Sequence, residues 1–597
     1  IRSMTDYSML TLTGRNKSGQ SLDEVKDLLM GQLELLKKGE FPDWLMEAAI
    51  NNLKLQEMRR IENSRGRAMA MAMSFLNRQP YQETINYIDR LSKITKEEVV
   101  AFANEHLRDN NYVVVYKRQG QPKDVQSVDK PAITPIHINR DAESPLLKQV
   151  KAASVEPIEP VFLNYDRDVT RGTTPAGLEV LYAKNDANPT FTLTYHWEMG
   201  SYHDKYLSLA GNFIEFLGNG TYTAEEIGNE FYKLACTFNV MVGNEETRIT
   251  ISGLSENMEA AVKLFEELIA NARADNAALA RYVENAKKAR QDSKANQGSN
   301  FSALVNYAIY GPRNPSTYTL TDAELDALTS EQLIKTLQNL WTLQHRIVFF
   351  GPPSLGEITA QLGQLHRTPR SLGAIPTGTR FEPLETPVNK VLFAHYDANQ
   401  SYLQTISKGI AYNPDMVPQI TMYNSYFGGG MNAIVFQELR EKRGLAYTAR
   451  SNYTAPSWPD ETYMNSSFIA TQNDKVVDAF SAFNELFNEM PASESSFRLA
   501  QEQLISNLRT QRIRDAAVIW NYLAAKRMGY TEDPRIQLFR ELPRITLNDV
   551  KAFNETYIKN QPKTYVILGN ENTVNFQEVE RLFGPVTKLN KEDLFIF

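Results

Sequence analysis

The 597-residue sequence predicts an α+β protein of tandem homologous domains, each a mostly antiparallel β-sheet packed with helices on one face. Two repeated patterns and their spacing predict it. First, a Thr opens a helical run at Thr95, Thr329 and Thr546, with Glu98, Gln332 and Asp549 three residues on. This is the capping-box pattern: the Thr oxygen takes one orphan N–H of the first turn, and the later side chain returns to another. Asp549 is short for the return bond, so its copy is expected to be the weakest. Each capped helix is followed at one offset by an apolar run, at 113–116, 347–350 and 564–568. Second, an alternating strand, a polar turn and an amphipathic helix recur. The strands are 8–13, 247–253 and 464–471, and the helices 22–37, 258–270 and 476–490. The spacing ties the two patterns together. From strand end to capping Thr is 81 residues at Gly14 and 76 at Gly253 and Ala470. The capping threonines are 234 and 217 residues apart, the spacing of duplicated domains rather than of a solenoid.

Each unit therefore reads as strand, strand, helix, more helices, capped helix and final strand. Two copies have room for about 170 residues before the capped helix, the size of a domain. The first has only 94, so residues 1–118 read as the C-terminal part of a domain whose start lies outside the chain. Pro122, Pro131, Pro135, Pro157 and Pro160 stand in a stretch with no sustained pattern beyond a short helix near 145–153. Such a stretch is long for a loop inside a compact domain, so 119–159 reads as a tether. Pro369, Pro376, Pro383 and Pro387 mark a second boundary. The remaining domains are then 160–370 and 376–597.

Composition narrows the function classes. Hydrophobic residues at 42% and charged residues at 23% are ordinary globular usage and imply a core that needs no staples. A net charge of −7 offers no basic field for phosphate backbones, which argues against nucleic acid as a partner. No run of 18 apolar residues exists to span a membrane, and no apolar stretch of signal-peptide type follows Arg2. The single cysteine, Cys236, lies among Leu234, Ala235 and Phe238 and reads as a buried small hydrophobe. The seven histidines are His106, His137, His196, His203, His345, His366 and His395. No two stand at the spacing of a metal-binding helix.

The densest local signal is the stretch 427–447. Gly428, Gly429 and Gly430 let the backbone approach another chain closely. A helix over 432–442 follows, Gly444 is placed to end it, and 445–453 reads as a strand. No Gly-Lys-Ser/Thr and no GxGxxG between strand and helix is present, so this is not a phosphate loop. Read without a family, it is a capped surface helix and a strand tyrosine.

Phe427-Gly428-Gly429-Gly430-Met431, then Phe436-Gln437-Glu438-Leu439-Arg440-Glu441-Lys442-Arg443-Gly444-Leu445-Ala446-Tyr447, resembles the pitrilysin/insulinase family of zinc metallopeptidases. The resemblance implies four homologous α+β domains in two linked halves that close around a peptide. It also implies zinc held by His-x-x-Glu-His and a later Glu in the first domain, with the intervening Glu as general base. No His-x-x-Glu-His occurs here. Asn212-Phe213-Ile214-Glu215-Phe216 stands where that motif would be, followed by Gly220-Thr221, so 160–370 reads as a degenerate copy of the zinc domain. On this reading 376–597 is the fourth domain, 1–118 the end of the second, and zinc is expected in a part outside this chain, with no metal ligand here.

The resemblance assigns catalytic and substrate-binding roles to Arg440 and Tyr447, seven residues apart. Arg offers a planar fork to carbonyl or carboxylate oxygens, and Tyr offers an O–H to a developing oxyanion. Arg443 is the rival for the Arg role, but stands four from Tyr447. Gly428, Gly429 and Gly430 are expected to add backbone contact to substrate or to serve the turn. The implied function is the non-zinc part of a metalloendopeptidase that cuts peptides or unfolded segments. Its partners would be the peptide and the N-terminal catalytic half, or a partner subunit. The alternative is an inactive peptidase-like subunit that binds peptides or assembles with a partner chain. A periplasmic or cell-envelope setting is expected by analogy with bacterial relatives, with cytoplasm as the alternative.

Overall fold

The computed structural model describes residues 1–4, 6–17, 19–118, 120 and 144–597. The Pro-rich tether and His137 fall largely or wholly outside these residues. Two compact units form, 1–158 and 159–597.

The first unit is helical: α1 (Leu22–Lys38), α2 (Trp44–Ile61), α3 (Ser64–Leu76) and α4 (Lys96–His106), with shorter turns between. Complete capping boxes at Ser21/Glu24 and Thr95/Glu98 start α1 and α4. Two expected strands largely fail. Only Ser8–Met9 of the 8–13 run pairs, with Arg2–Ser3, and 113–116 forms no strand. Val113 and Val115 are 87% and 86% exposed. A strand exists only by pairing, and among the described residues of this unit no ladder longer than two residues is present to receive them.

The second unit holds two six-stranded sheets. The first is built from β1 (Thr170–Thr173), β2 (Glu179–Lys184), β3 (Thr190–Trp197), β4 (Cys236–Val242), β5 (Thr247–Leu254) and β6 (Arg346–Gly351). Its helices are α5 (Leu207–Phe213), α6 (Ala224–Lys233), α7 (Met258–Asn271), α8 (Asn276–Lys294), α9 (Gln297–Tyr310), α10 (Ser330–Leu340) and α11 (Leu355–Leu365). The second sheet uses β7 (Lys390–His395), β8 (Gln400–Ala411), β9 (Thr448–Thr454), β10 (Thr462–Gln472), β11 (Thr564–Gly569) and β12 (Val586–Leu589). Its helices include α12 (Val417–Tyr423), α13 (Val476–Asn488), α14 (Glu494–Thr510), α15 (Ala516–Arg527), α16 (Leu547–Tyr557) and α17 (Phe576–Phe583).

The strand orders are β4-β5-β3-β6-β2-β1 and β9-β10-β8-β11-β7-β12, the same path apart from the last edge strand. Pairing is mostly antiparallel, as expected. β2/β6, β7/β11 and β7/β12 run parallel because their connections pass through helices. The expected α+β tandem architecture is present.

Each sheet packs its own helices on one face. Trp197, Phe213, Phe265 and Phe349 anchor one core, and Phe393, Phe427, Phe483 and Phe487 the other. The opposite faces are covered by an exchange. From the first body, α9 lays Phe301, Ala303, Leu304 and Ala308 on Leu392, Ile406, Val566 and Leu568 of the second sheet. From the second body, α15 lays Val518, Ile519 and Ala525 on Leu181 and Val348 of the first. The two helices follow the long helix after the repeated strand–helix element in their respective copies.

The caps reverse one expectation. Asp549 closes a full box, its Oδ2 accepting from Thr546 N at 2.7 Å. Thr329 accepts from Gln332 N at 3.2 Å, but Gln332 does not return the bond. At the same N3 position the carboxylate is charged, which suits the return bond better than a longer neutral amide.

Candidate functional site

The glycine-rich segment joins α12 to β9 through two π-helical turns, Asn424–Gly428 and Phe436–Lys442. Turns of this kind are rare and gather at functional sites. Gly428 is fixed by sterics: a Cβ there would lie 1.7 Å from the Ser451 carbonyl oxygen, so the turn can cross strand β9 only without a side chain. Asn424 holds the same strand, its amide donating to the Tyr453 carbonyl (3.0 Å) and its oxygen accepting from Tyr453 N (2.8 Å). Gly430 (φ 102°) turns the chain, and Gly444 (φ 60°) ends the second π turn. The expected helix over 432–442 is thus irregular at its start and wide through its body.

Beyond Gly444 the backbone is pinned. Leu445 N donates to Leu439 O at 3.0 Å, and Thr471 Oγ1 donates to Leu445 O at 2.6 Å. This brings Arg440 and Tyr447 together: the guanidinium carbon of Arg440 lies 4.5 Å from the Tyr447 ring centre and 4.7 Å from that of Phe436. Its nearest carboxylate is the adjacent Glu441, at a long 3.5 Å. Tyr447 is 77% exposed. Arg443, by contrast, makes two 2.8 Å bonds to the carboxylate of Glu485 on α13. The Arg443 guanidinium holds the Glu485 carboxyl below its ordinary range. Arg443 therefore anchors the turn, while Arg440 has two aromatic neighbours and only the longer contact to Glu441. Gly429 N bonds back to Asn424 O at 2.7 Å, so at least that amide serves the turn.

Histidines of the second unit are engaged within the fold. His196 on β3 is buried and meets Glu246 at 3.2 Å. His345 and His366 meet at 2.8 Å, and His366 meets Glu266 at 2.8 Å. Glu266 also accepts from Tyr195 Oη (2.7 Å) and Trp341 Nε1 (3.0 Å). These side chains are bonded to one another rather than splayed round a common point. Among the described residues no group of three or more His, Cys, Asp or Glu is arranged to hold a metal ion. They do not fit a catalytic zinc. At 212–216, Asn212, Glu215 and Phe216 point outward while Phe213 fills the core. Cys236 is buried on β4.

Sequence reasoning missed two arrangements. One is Phe436 beneath Arg440, which its i, i+4 spacing could have suggested. The other is a polar joint between the two bodies. Trp458 Nε1 donates to Glu245 at 2.6 Å, Arg527 to Glu246 at 3.3 Å, and Arg248 stacks 3.8 Å from the Trp520 ring centre. Nothing in one sequence links positions so far apart.

The duplicated sheet-and-helix bodies, with an Arg–Tyr pair on a glycine-rich π turn, define a peptidase-like fold. Residues 357–504 match the family described as "Peptidase M16 inactive domain". The match runs from α11 across the Pro-rich boundary and the Arg–Tyr segment into α14. A curated relative described as an uncharacterized zinc protease of Rickettsia bellii is 23% identical over 310 residues, covering 50% of this chain and 72% of that protein. The peptidase M16 inactive domain from Pseudomonas fluorescens matches in structure with TM-score 0.54 and 20% identity, over 68% of this chain and 98% of that one. The periplasmic protease PqqL from Escherichia coli matches with TM-score 0.55 and 13% identity, over 92% of this chain and 63% of its own length. Residues 357–504 therefore match the M16 inactive domain, and the chain has the fold of M16-like peptidases, in line with the resemblance of its glycine-rich segment. No helix among the described residues is long and apolar enough to cross a membrane.

Proposed function

We propose that this chain is the non-zinc part of a zinc-dependent metalloendopeptidase, supplying substrate grip and chamber closure for peptides or unfolded segments. Residues 160–370 would be the degenerate copy of the peptidase domain, 376–597 the domain that carries the grip, and 1–118 the end of the domain before the tether. The supporting observation is the Arg440–Tyr447 pair, in contact with Tyr447 exposed, with its rival Arg443 tied to Glu485. The in-plane N–H groups of Arg440 would take a substrate backbone carbonyl. The Tyr447 hydroxyl would donate to the oxygen on which charge develops. Gly428, Gly429 and Gly430 would shape the floor of that contact. Zinc would be carried by a part outside these residues, and no step of its chemistry is assigned to this chain. The periplasmic setting of PqqL supports a cell-envelope location.

A second reading, an inactive subunit that binds peptides or docks on a partner chain, is favoured by the match to an inactive domain. The first test uses the purified chain with fluorescein-labelled casein as an unfolded probe, together with its metal content. The proposal expects saturable binding, weakened about tenfold by Arg440→Ala, with no stoichiometric zinc and no cleavage by the chain alone. Casein cleavage or tight zinc binding by the isolated chain would overturn it. The coding sequence upstream of Ile1 separates the two readings: His-x-x-Glu-His there supports the protease.

A further inference from the structure

We propose that Phe436 is a positioning residue that holds Arg440 flat, so that the guanidinium meets substrate by its N–H edge alone. The inference rests on the Arg440–Tyr447 grip and adds how that grip selects what it binds. The cation lies within cation–π distance of two rings, 4.7 Å from the centre of Phe436 and 4.5 Å from that of Tyr447. A guanidinium held against rings presents its in-plane donors, which suit a carbonyl or carboxylate oxygen and reject a positively charged side chain.

The two rings are not equivalent. Tyr447 is 77% exposed and lies beyond the pinned backbone at Leu445, so its ring is able to turn toward a substrate. Phe436 is half-buried at the start of the π turn that carries Arg440, one turn before it. Its neighbours Ile434, Val435 and Leu439 sit in the core. When the Tyr447 hydroxyl engages substrate, Phe436 is the ring that still backs the cation. Without it a long, flexible arginine beside Glu441 would swing to that carboxylate and lose its aim. The π turn brings the residue four positions on close to the line of the first and so permits the contact.

The test is a double-mutant cycle read by anisotropy of fluorescein-labelled casein bound to the 597-residue chain. Phe436→Leu is expected to raise Kd roughly fivefold, the loss of one ring face from a cation. Phe436→Tyr, which keeps the face, stays within about twofold of wild type. In the Arg440→Ala background Phe436→Leu adds nothing, because the residue acts only through the arginine. Should F436L fail to fold, Phe436→Met carries the same cycle. Equal losses from F436L in both backgrounds, or a Tyr variant as poor as Leu, overturn the inference and leave the grip standing. An Arg440→Ala chain that binds casein as wild type removes the grip and this inference together.

Discussion

Arg440 lies in the second π turn, Arg443 caps its end three residues on, and the two have opposite circumstances. Arg443 is spent on Glu485, whereas Arg440 has aromatic neighbours and only the longer 3.5 Å contact to the adjacent Glu441. Their substitutions should therefore separate cleanly. Arg443→Ala should cost at most about 1 kcal/mol of stability, since the pair is partly exposed, with little effect on casein affinity. Arg440→Ala should do the reverse, and thermal unfolding alongside anisotropy checks both. The pairing of Arg440 with Tyr447 was legible because seven-residue spacing across a glycine-capped turn is a family pattern. The fate of Arg443 was not, since Glu485 is 42 residues away along the chain.

Acid should loosen the joint between the two bodies. Burial pushes His196 below its ordinary 6.5, against the pull of Glu246, with Arg346 and Arg248 opposing a further positive charge. The unfolded chain takes up this proton first, so stability falls as pH drops through about 6.5. His345, held at about 4 chiefly by burial, adds to the same slope between about 6.5 and 4. Glu246 is held at about 2, first by its bond to His196 and then by Arg248. Its contribution is whole above about 4.5 and is lost below that. The melting temperature should decline steadily from pH 7 to pH 4, and His196→Gln should flatten part of the decline between about pH 6.5 and 5. A melting temperature flat across that range would contradict this account.

At the scale of elements, the caps and the exchanged helices carry the lessons. The capping boxes at Thr95 and Thr546 could be read from the sequence because a cap is a local bargain among four residues. Asp549→Ala should cost about 0.5–1 kcal/mol, and Gln332→Ala should be nearly neutral, because only the first makes the return bond. Equal losses in denaturant titrations would contradict that difference. The strands at 247–254 and 462–472 formed as their alternation predicts, since each had neighbours to pair with. The runs at 8–13 and 113–116 alternate or are apolar too, and mostly did not, since alternation permits a strand without supplying a partner. The apolar positions Phe301, Leu304 and Ala308 of α9 do not by themselves say which sheet they cover. Leu304→Ala and Ile519→Ala, both fully buried, should each cost roughly 2–4 kcal/mol.

At the scale of the whole molecule, the exchange of α9 and α15 makes the two bodies one folding unit. Residues 160–370 and 376–597, produced separately, should each expose the apolar sheet face that the other's helix covers, and should aggregate. Produced together, they should assemble and melt in a single transition. Two soluble, separately melting monomers would contradict this. The duplication was legible because repeated caps and strand–helix pairs keep their spacing, whereas the residues joining the copies lie hundreds of positions apart and share no pattern. The account's central claim is that this chain grips substrate for a zinc peptidase without holding the metal. The most direct measurement is casein turnover and zinc content of the zinc-bearing protein with Arg440→Ala and with Tyr447→Phe. The account predicts kcat/KM lower by ~10²-fold in each with zinc unchanged, and kcat/KM at the wild-type value in both variants would contradict it.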